Sequence, residues 1–327
     1  MIEDIPKEKL LELFGNLLAG RRMEEKLYEI YRAGGSGMPW LHRGIGEEAV
    51  IIGVCANLRK DDYYLVTITR GRPCLFARGY SFVDCIASES FKDLKEIGGH
   101  NTYFDPELGN LGRSGTLGED TAIYTGAALS AKIRGTDQVT VCTIGDGAAS
   151  RGPVHESMVI ASAWDLPIVY LLQNNQYGEG TSARRQTYKN MEDISDRAKA
   201  YGFPGVTVDG NDVIEVYEVS KEYIERARNG GGPGLIVAET YRLSGHSEGD
   251  TQTYRPKGET EEWWQKDPLP RYTKRLMDTG MITEEYIDEL DKQLMSEIDE
   301  AVRIATTLPD WDYDDYISGP GKVIDVL

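Results

Sequence analysis

Residues 139–175 admit one local fold. Val139-Thr140-Val141-Cys142-Thr143-Ile144 is rich in β-branched side chains and reads as a strand. Gly145-Asp146-Gly147 then makes a turn, a helical segment follows, and Ile168-Val169-Tyr170-Leu171-Leu172 is a second apolar strand that runs into Gln173-Asn174-Asn175. Strand, turn, helix and strand form one βαβ unit, whose two strands are parallel. Parallel neighbours bring their carboxyl ends side by side, where open α/β sheets bind ligands. The spacing therefore predicts that Asp146 faces Asn175 across a small gap. One carboxylate, one amide oxygen and nearby backbone carbonyls form a hard-oxygen site. It suits Mg²⁺ that already carries phosphate oxygens, because this ion takes few protein ligands. Gly145 and Gly147 allow the backbone to approach such phosphates closely.

Gly-Asp-Gly alone is a weak signal. Gly-Asp-Gly, a gap of 26 residues (148–173) and then Asn-Asn, with a strand before each half, resembles the thiamine diphosphate-binding motif. Further motifs narrow the resemblance. Gly44-Ile45-Gly46-Glu47-Glu48-Ala49 opens an apolar helix through Val50, Ile51, Val54 and Leu58, a strand follows at 63–69, and Arg70-Gly71 ends it. This half of the chain resembles the α subunit of two-chain thiamine diphosphate-dependent dehydrogenases acting on pyruvate, branched-chain 2-oxoacids or acetoin. The likeness covers residues from about 10 to 270.

The resemblance implies an α/β fold, with a mostly parallel sheet between two helical layers, forming the diphosphate-binding half of the cofactor site. It implies one domain over 1–327, with a core at about 35–250, an amino-terminal helix at about 6–33 and a helical extension at about 260–327. It assigns Arg70, Gly145, Asp146, Gly147, Ala148, Asn175 and His246 to cofactor binding, with Arg70 on the diphosphate. Backbone groups at Gly115 and Leu117 would bond the aminopyrimidine. Asp146, Asn175 and the carbonyl of Tyr177 would hold Mg²⁺. Tyr241-Arg242-Leu243-Ser244-Gly245-His246-Ser247 resembles the family's Tyr-Arg-x-x-Gly-His-Ser, so His246 takes the catalytic position near the diphosphate and the reacting carbon. A pKa near neutrality would let it exchange a proton.

Two positions depart from the family. Arg72 and Thr102 stand where a His is usual. His100, two residues before Thr102, is either a substitute or an ordinary loop residue. Arg72 is a cation that an anionic substrate group could use.

In two-chain relatives the glutamate that activates the pyrimidine comes from a separate β subunit, and only one half-site is present here. The expected assembly is a heterotetramer of two α and two β chains. The expected reaction is decarboxylation of a 2-oxoacid, or cleavage of acetoin, with acyl transfer to a lipoyl-bearing acyltransferase. The alternatives are a two-chain carboligase that forms acyloins and, last, a non-catalytic regulatory subunit. A nicotinamide enzyme is disfavoured, because residues 145–147 lack Gly-x-Gly-x-x-Gly and an Asp in the turn would repel pyrophosphate without a metal.

Composition supports these limits. With 36 Lys and Arg against 54 Asp and Glu, the net charge of −18 lacks the basic footprint of a nucleic-acid binder. No stretch approaches the roughly 20 apolar residues of a membrane span. The acidic start lacks a signal-peptide core, and the four cysteines, Cys55, Cys74, Cys85 and Cys142, show no Cys-x-x-Cys. Buried free thiols in a cytoplasmic protein are the expectation.

Elsewhere, periodicity predicts a packing helix over 6–33, closed by Gly34-Gly35-Ser36-Gly37, and a helix from the glycine-rich loop at 109–118 through Ala131. Further helices are expected at 190–201, 212–228, 270–277 and 283–306. A strand and turn are expected at 205–210 and a buried strand at 235–241. The last helix carries an acidic, solvated face.

Overall fold

The computed structural model describes residues 4–34, 41–65, 70–187 and 191–312. The amino-terminal helix α1 spans Lys7–Arg32, and its Leu10, Leu13, Phe14, Leu17 and Leu18 are buried. The residues expected to close it, Gly35-Ser36-Gly37, lie outside the described residues. Helix α2 (Glu48–Cys55) is buried on every side, as an unbroken apolar run demands. Strand β1 (Tyr63–Leu65) follows, with 66–69 of the expected strand outside the described residues. Then come α3 (Pro73–Ala77), α4 (Phe82–Glu89) and α5 (Asp120–Arg134).

The central βαβ unit is β2 (Thr140–Gly145), α6 (Gly152–Ala163) and β3 (Ile168–Asn174). A short hairpin, β4 (Tyr177–Gly178) with β5 (Thr181–Ser182), leads to α7 (Ala183–Gln186). The chain continues through α8 (Arg197–Tyr201), β6 (Gly205–Asp209), α9 (Val213–Arg228) and β7 (Gly234–Glu239), and ends in α10 (Glu259–Trp264), α11 (Pro268–Asp278) and α12 (Glu284–Thr307).

The five longer-range strands form one parallel sheet in the order β1-β2-β3-β7-β6. Alternate residues of the central strands feed two separate cores, because successive side chains point to opposite faces. Val141, Val169, Leu171 and Ile236 pack with α1, α2, α4, α9 and α12. Cys142, Ile144, Tyr170, Leu172 and Val237 pack with α5, α6 and α8. The result is helix, sheet, helix in three layers. Truncating a core residue such as Leu171 to Ala costs about 2–5 kcal/mol.

Two expectations need correction and a third, the packing helix, is extended. Among the described residues of 190–201, the continuous helix gives way to a 3₁₀ turn at Ile194–Asp196 and the short α8. Asp193 causes this: its side chain accepts from the Ser195 amide at 2.8 Å and from the Thr207 hydroxyl, and so caps the turn in place of a longer helix. Strand β7 stops at Glu239 rather than 241. Beyond it the Thr240 amide donates to the Asn174 carbonyl at 3.0 Å and the Arg242 amide to the Asn175 carbonyl at 3.4 Å, which carries Arg242 alongside the Asn pair. The amino-terminal helix also does more than pack. Arg21 bonds Glu48 of α2 at 2.5 Å and Asp267 at 2.8 and 2.9 Å, tying three segments together away from solvent.

Cys55, Cys85 and Cys142 are free and buried. The side chain of Cys74 is outside the described set. Among the described residues no helix is long and apolar enough to cross a membrane. Glu284, Glu285, Asp288, Glu289, Glu297, Asp299 and Glu300 of α12 are exposed, as expected.

Candidate active site

The register of the sheet sets the site. Gly145 is paired with Gln173, and Asn174 with Glu239, so β2, β3 and β7 end together. Just beyond those ends lies a cleft of about 500 Å³. Arg70, Gly115, Leu117, Gly145, Asp146, Gly147, Ala148, Asn175, Tyr177 and His246 all line it. Every residue singled out for the cofactor or the metal therefore meets at one place.

Asp146 is 2 % exposed. Its Oδ1 accepts from the Gly147 amide at 2.8 Å, and its Oδ2 is buried without a hydrogen-bond partner among the described residues. A carboxylate oxygen in that state is costly unless a cation or donor meets it. Burial first, then repulsion from Glu47, pushes the Asp146 carboxyl up to about 7. Asn175 turns Oδ1 toward the Tyr177 amide at 3.2 Å and directs Nδ2 to Glu47. The Tyr177 carbonyl accepts from Arg242 at 3.3 Å and keeps a second lone pair. Its ring is buried, and its hydroxyl donates to Glu259 of α10 at 2.7 Å. Tyr177 is thus both a packing aromatic and a carbonyl in the cleft.

No cluster of three His, Cys, Asp or Glu able to hold a metal occurs among the described residues. The oxygens here are one carboxylate, one amide and one carbonyl. That set suits Mg²⁺ if phosphate or water completes its shell. The glycines leave room for phosphate. A Cβ on Gly145 or Gly115 would have nothing within 4 Å, so both bare positions open onto the cleft. Gly147 has a different reason to be glycine: its Cβ would come within 3.1 Å of the Gly178 Cα. The residues present fit a metal-bound diphosphate.

Arg70 is buried and donates from Nη2 to the His246 carbonyl at 2.9 Å. Its Nε lies 3.3 Å from Glu47 Oε1, an ion-pair contact without hydrogen-bond alignment. Burial, with Arg242 and Arg72 nearby, lowers its pKa to about 10, although Glu47 opposes this. It stays a cation at neutral pH.

His246 lies half-buried at the cleft, its amide donating to Asp250 at 2.7 Å. Arg242 donates to its Nδ1 at 3.4 Å, so the neutral ring carries its proton on Nε2. Its pKa is not near neutrality. Burial first, then Arg70, His42 and Arg242, bring it down to about 4. An anion in the cleft would offset those cations and raise it.

Arg72 is not among the residues that line the cleft, and its charge is met within the chain. It is 3 % exposed, bonded to Glu24 of α1 at 2.9 and 3.2 Å, 3.6 Å from Glu89, and donates to the His42 carbonyl. Thr102 is buried, and His100 bonds Asp105 at 2.6 Å and lies edge-on to Tyr80, a loop-bracing role.

Sequence reasoning passed over Glu47, Gln173, Arg242 and His42. Glu47 was legible as an acid heading an otherwise apolar helix, a placement that burial makes expensive. Arg242 stood in the Tyr-Arg-x-x-Gly-His-Ser motif without a role of its own, and His42 carried no signal, since a contact across 204 residues brings it to His246.

The match to known proteins agrees with this geometry. Residues 16–312 match the family model described as dehydrogenase E1 component. The α subunit of acetoin:2,6-dichlorophenolindophenol oxidoreductase from Bacillus subtilis is 37% identical over 311 residues, covering 93% of this chain and 91% of the relative. The corresponding Cupriavidus necator subunit is 35% identical, over 93% and 92%. The pyruvate dehydrogenase E1 component α subunit of Rhizobium meliloti is 34% identical, over 95% and 89%. The chain belongs to the dehydrogenase E1 component family, as an α subunit of the thiamine diphosphate-dependent 2-oxoacid and acetoin dehydrogenases.

Proposed function

We propose that this chain supplies the Mg²⁺-diphosphate half of a two-chain enzyme that decarboxylates a 2-oxoacid or cleaves acetoin and passes the acyl group to a lipoyl domain. The observation that carries the reading is the orphaned, buried Oδ2 of Asp146 at a cleft walled by Gly145 and Gly115. When bound, thiamine diphosphate supplies a nucleophilic carbon and an electron sink.

This chain's residues bind and orient. Asp146, Asn175 and the Tyr177 carbonyl hold Mg²⁺. Arg70 provides positive charge for the diphosphate, and its guanidinium can fork phosphate oxygens. The backbone at Gly115 and Leu117 borders the same cleft and is suited to the aminopyrimidine. His246 presents Nε2–H and exchanges a proton near the reacting centre. Asp250 holds the His246 backbone and so sets the ring's place. A separate β subunit completes the site with the carboxylate that this half lacks, in an assembly of two α and two β chains.

A carboligase passing the acyl group to an aldehyde or ketone is the second reading. The enclosure of Arg72 and Thr102 favours it, because both stand where the family has a proton-carrying His. Co-expression with the β partner, followed by assays of lipoamide reduction and acyloin formation from a panel of oxoacids, separates the two. Lipoamide reduction that requires both chains and Mg²⁺ is expected. Acyloin formation alone selects the carboligase, and full decarboxylase activity of this chain without a partner refutes the half-site reading.

A further inference from the structure

Glu47 has no place among the metal or diphosphate ligands, yet the site converges on it. It is fully buried at the head of α2. One carboxylate accepts from Gln173 Nε2 at 2.6 Å and from Asn175 Nδ2 at 3.0 and 3.3 Å, and it lies 3.3 Å from Arg70 Nε. Three segments of chain, at Arg70, β3 and the loop after it, are thereby registered against α2.

The direction of the Asn175 amide follows from its two neighbours. The Tyr177 backbone N–H only donates, so the atom facing it is Oδ1. A carboxylate only accepts, so the atoms facing Glu47 are the Nδ2 hydrogens. The two contacts agree, and together they exclude the flipped amide. Oδ1 is left with one lone pair. On the other side, the same carboxylate forms an ion pair with the Nε side of Arg70 at 3.3 Å, while Nη2 donates to the His246 carbonyl at 2.9 Å, so the guanidinium is placed from two sides.

We propose that Glu47 is a positioning residue that orients the Asn175 carboxamide and the Arg70 guanidinium together, so that one buried carboxylate sets both the metal and the diphosphate halves of the site. This rests on reading the cleft as a Mg²⁺-diphosphate site. Outer groups that orient ligands typically change metal affinity by about 10–100-fold when removed.

The test uses the assembled two-chain enzyme and calorimetric titration with Mg²⁺ in the presence of thiamine diphosphate. Wild type, Glu47→Gln, Glu47→Asp, Asn175→Ala and the double variant Glu47→Gln/Asn175→Ala are compared. Glu47→Gln keeps the volume but has one acceptor oxygen, so it cannot serve both amides and Arg70. Glu47→Asp keeps the charge but falls short of Asn175. Both variants should need about 10-fold or more Mg²⁺ for half-saturation. In the Asn175→Ala background the Glu47→Gln effect should shrink, because the part that acts through that amide is already lost. Melting of the cofactor-free complexes separates this from loss of fold, and Glu47→Asp serves should Glu47→Gln not fold. Unchanged Mg²⁺ half-saturation in the folded variant, or effects of Glu47→Gln and Asn175→Ala that simply multiply, overturns the proposal. A wild-type complex that takes up no Mg²⁺ with the cofactor overturns the functional reading instead.

Discussion

The imidazoles of His42 and His246 lie against each other, tilted by 57°, with ring centroids 4.7 Å apart, and His42 Nδ1 donates to the His246 backbone carbonyl. Two aromatic bases thus sit beside three guanidiniums, and both rings resist protonation: burial first, then these cations, lowers each. For His246 the ordinary value of 6.5 falls to about 4. Between those limits the unfolded chain binds a proton that the folded ring refuses, so stability falls as the pH drops through that window. His246→Gln should therefore lose less melting temperature than wild type between pH 6.5 and 4, both measured free of cofactor. Parallel losses would show that the ring is not held neutral.

Asp146 titrates the other way. Burial and Glu47 hold its carboxyl near 7, well above the ordinary 3.8. A cation at Oδ2 would demand the ionised form, so Mg²⁺ uptake with the diphosphate should release a proton at pH 6 and much less at pH 8. Calorimetry in buffers of different ionisation enthalpy reads that proton directly. Uptake without buffer dependence at pH 6 contradicts the assignment. Asp146→Asn should lose both the release and most of the affinity.

Arg72 tests structure against specificity. Replacing it with Met leaves Glu24 and Glu89 buried without their shared cation, which costs about 3–5 kcal/mol. A marked fall in melting temperature is expected, with the ranking of oxoacid substrates unchanged. A change in the preference for anionic substrates at unchanged stability would return Arg72 to the substrate site.

The two glycines of the turn should behave differently. Gly145→Val has open space around its new Cβ, so the fold should survive while diphosphate binding weakens. Gly147→Val drives its Cβ toward the Gly178 backbone and should lower the melting temperature as well. Equal thermal stability in the two variants would contradict this division.

How far the fold could be read from the chain follows from the kind of contact involved. The run at 139–175 specifies its strands, turn and helix through neighbours a few residues apart. The segment at 190–201 was misread because Asp193 makes a local hydrogen bond that outweighs helical periodicity. Arg72 was misread for the opposite reason: its partners are 17 and 48 residues away, and charge at a loop looks solvated until a distant helix covers it.

The amino-acid sequence by itself determined the βαβ unit, the meeting of Asp146 with Asn175 at the ends of β2 and β3, and the glycine-lined turn, because these depend on periodicity and chirality close along the chain. Tertiary structure alone decided that Glu47 would orient Asn175, that His42 would lie against His246 and that Arg72 would be shut away. Those outcomes depend on which distant surfaces close over a polar group, and on the cost of burying a charge or an amide without a partner.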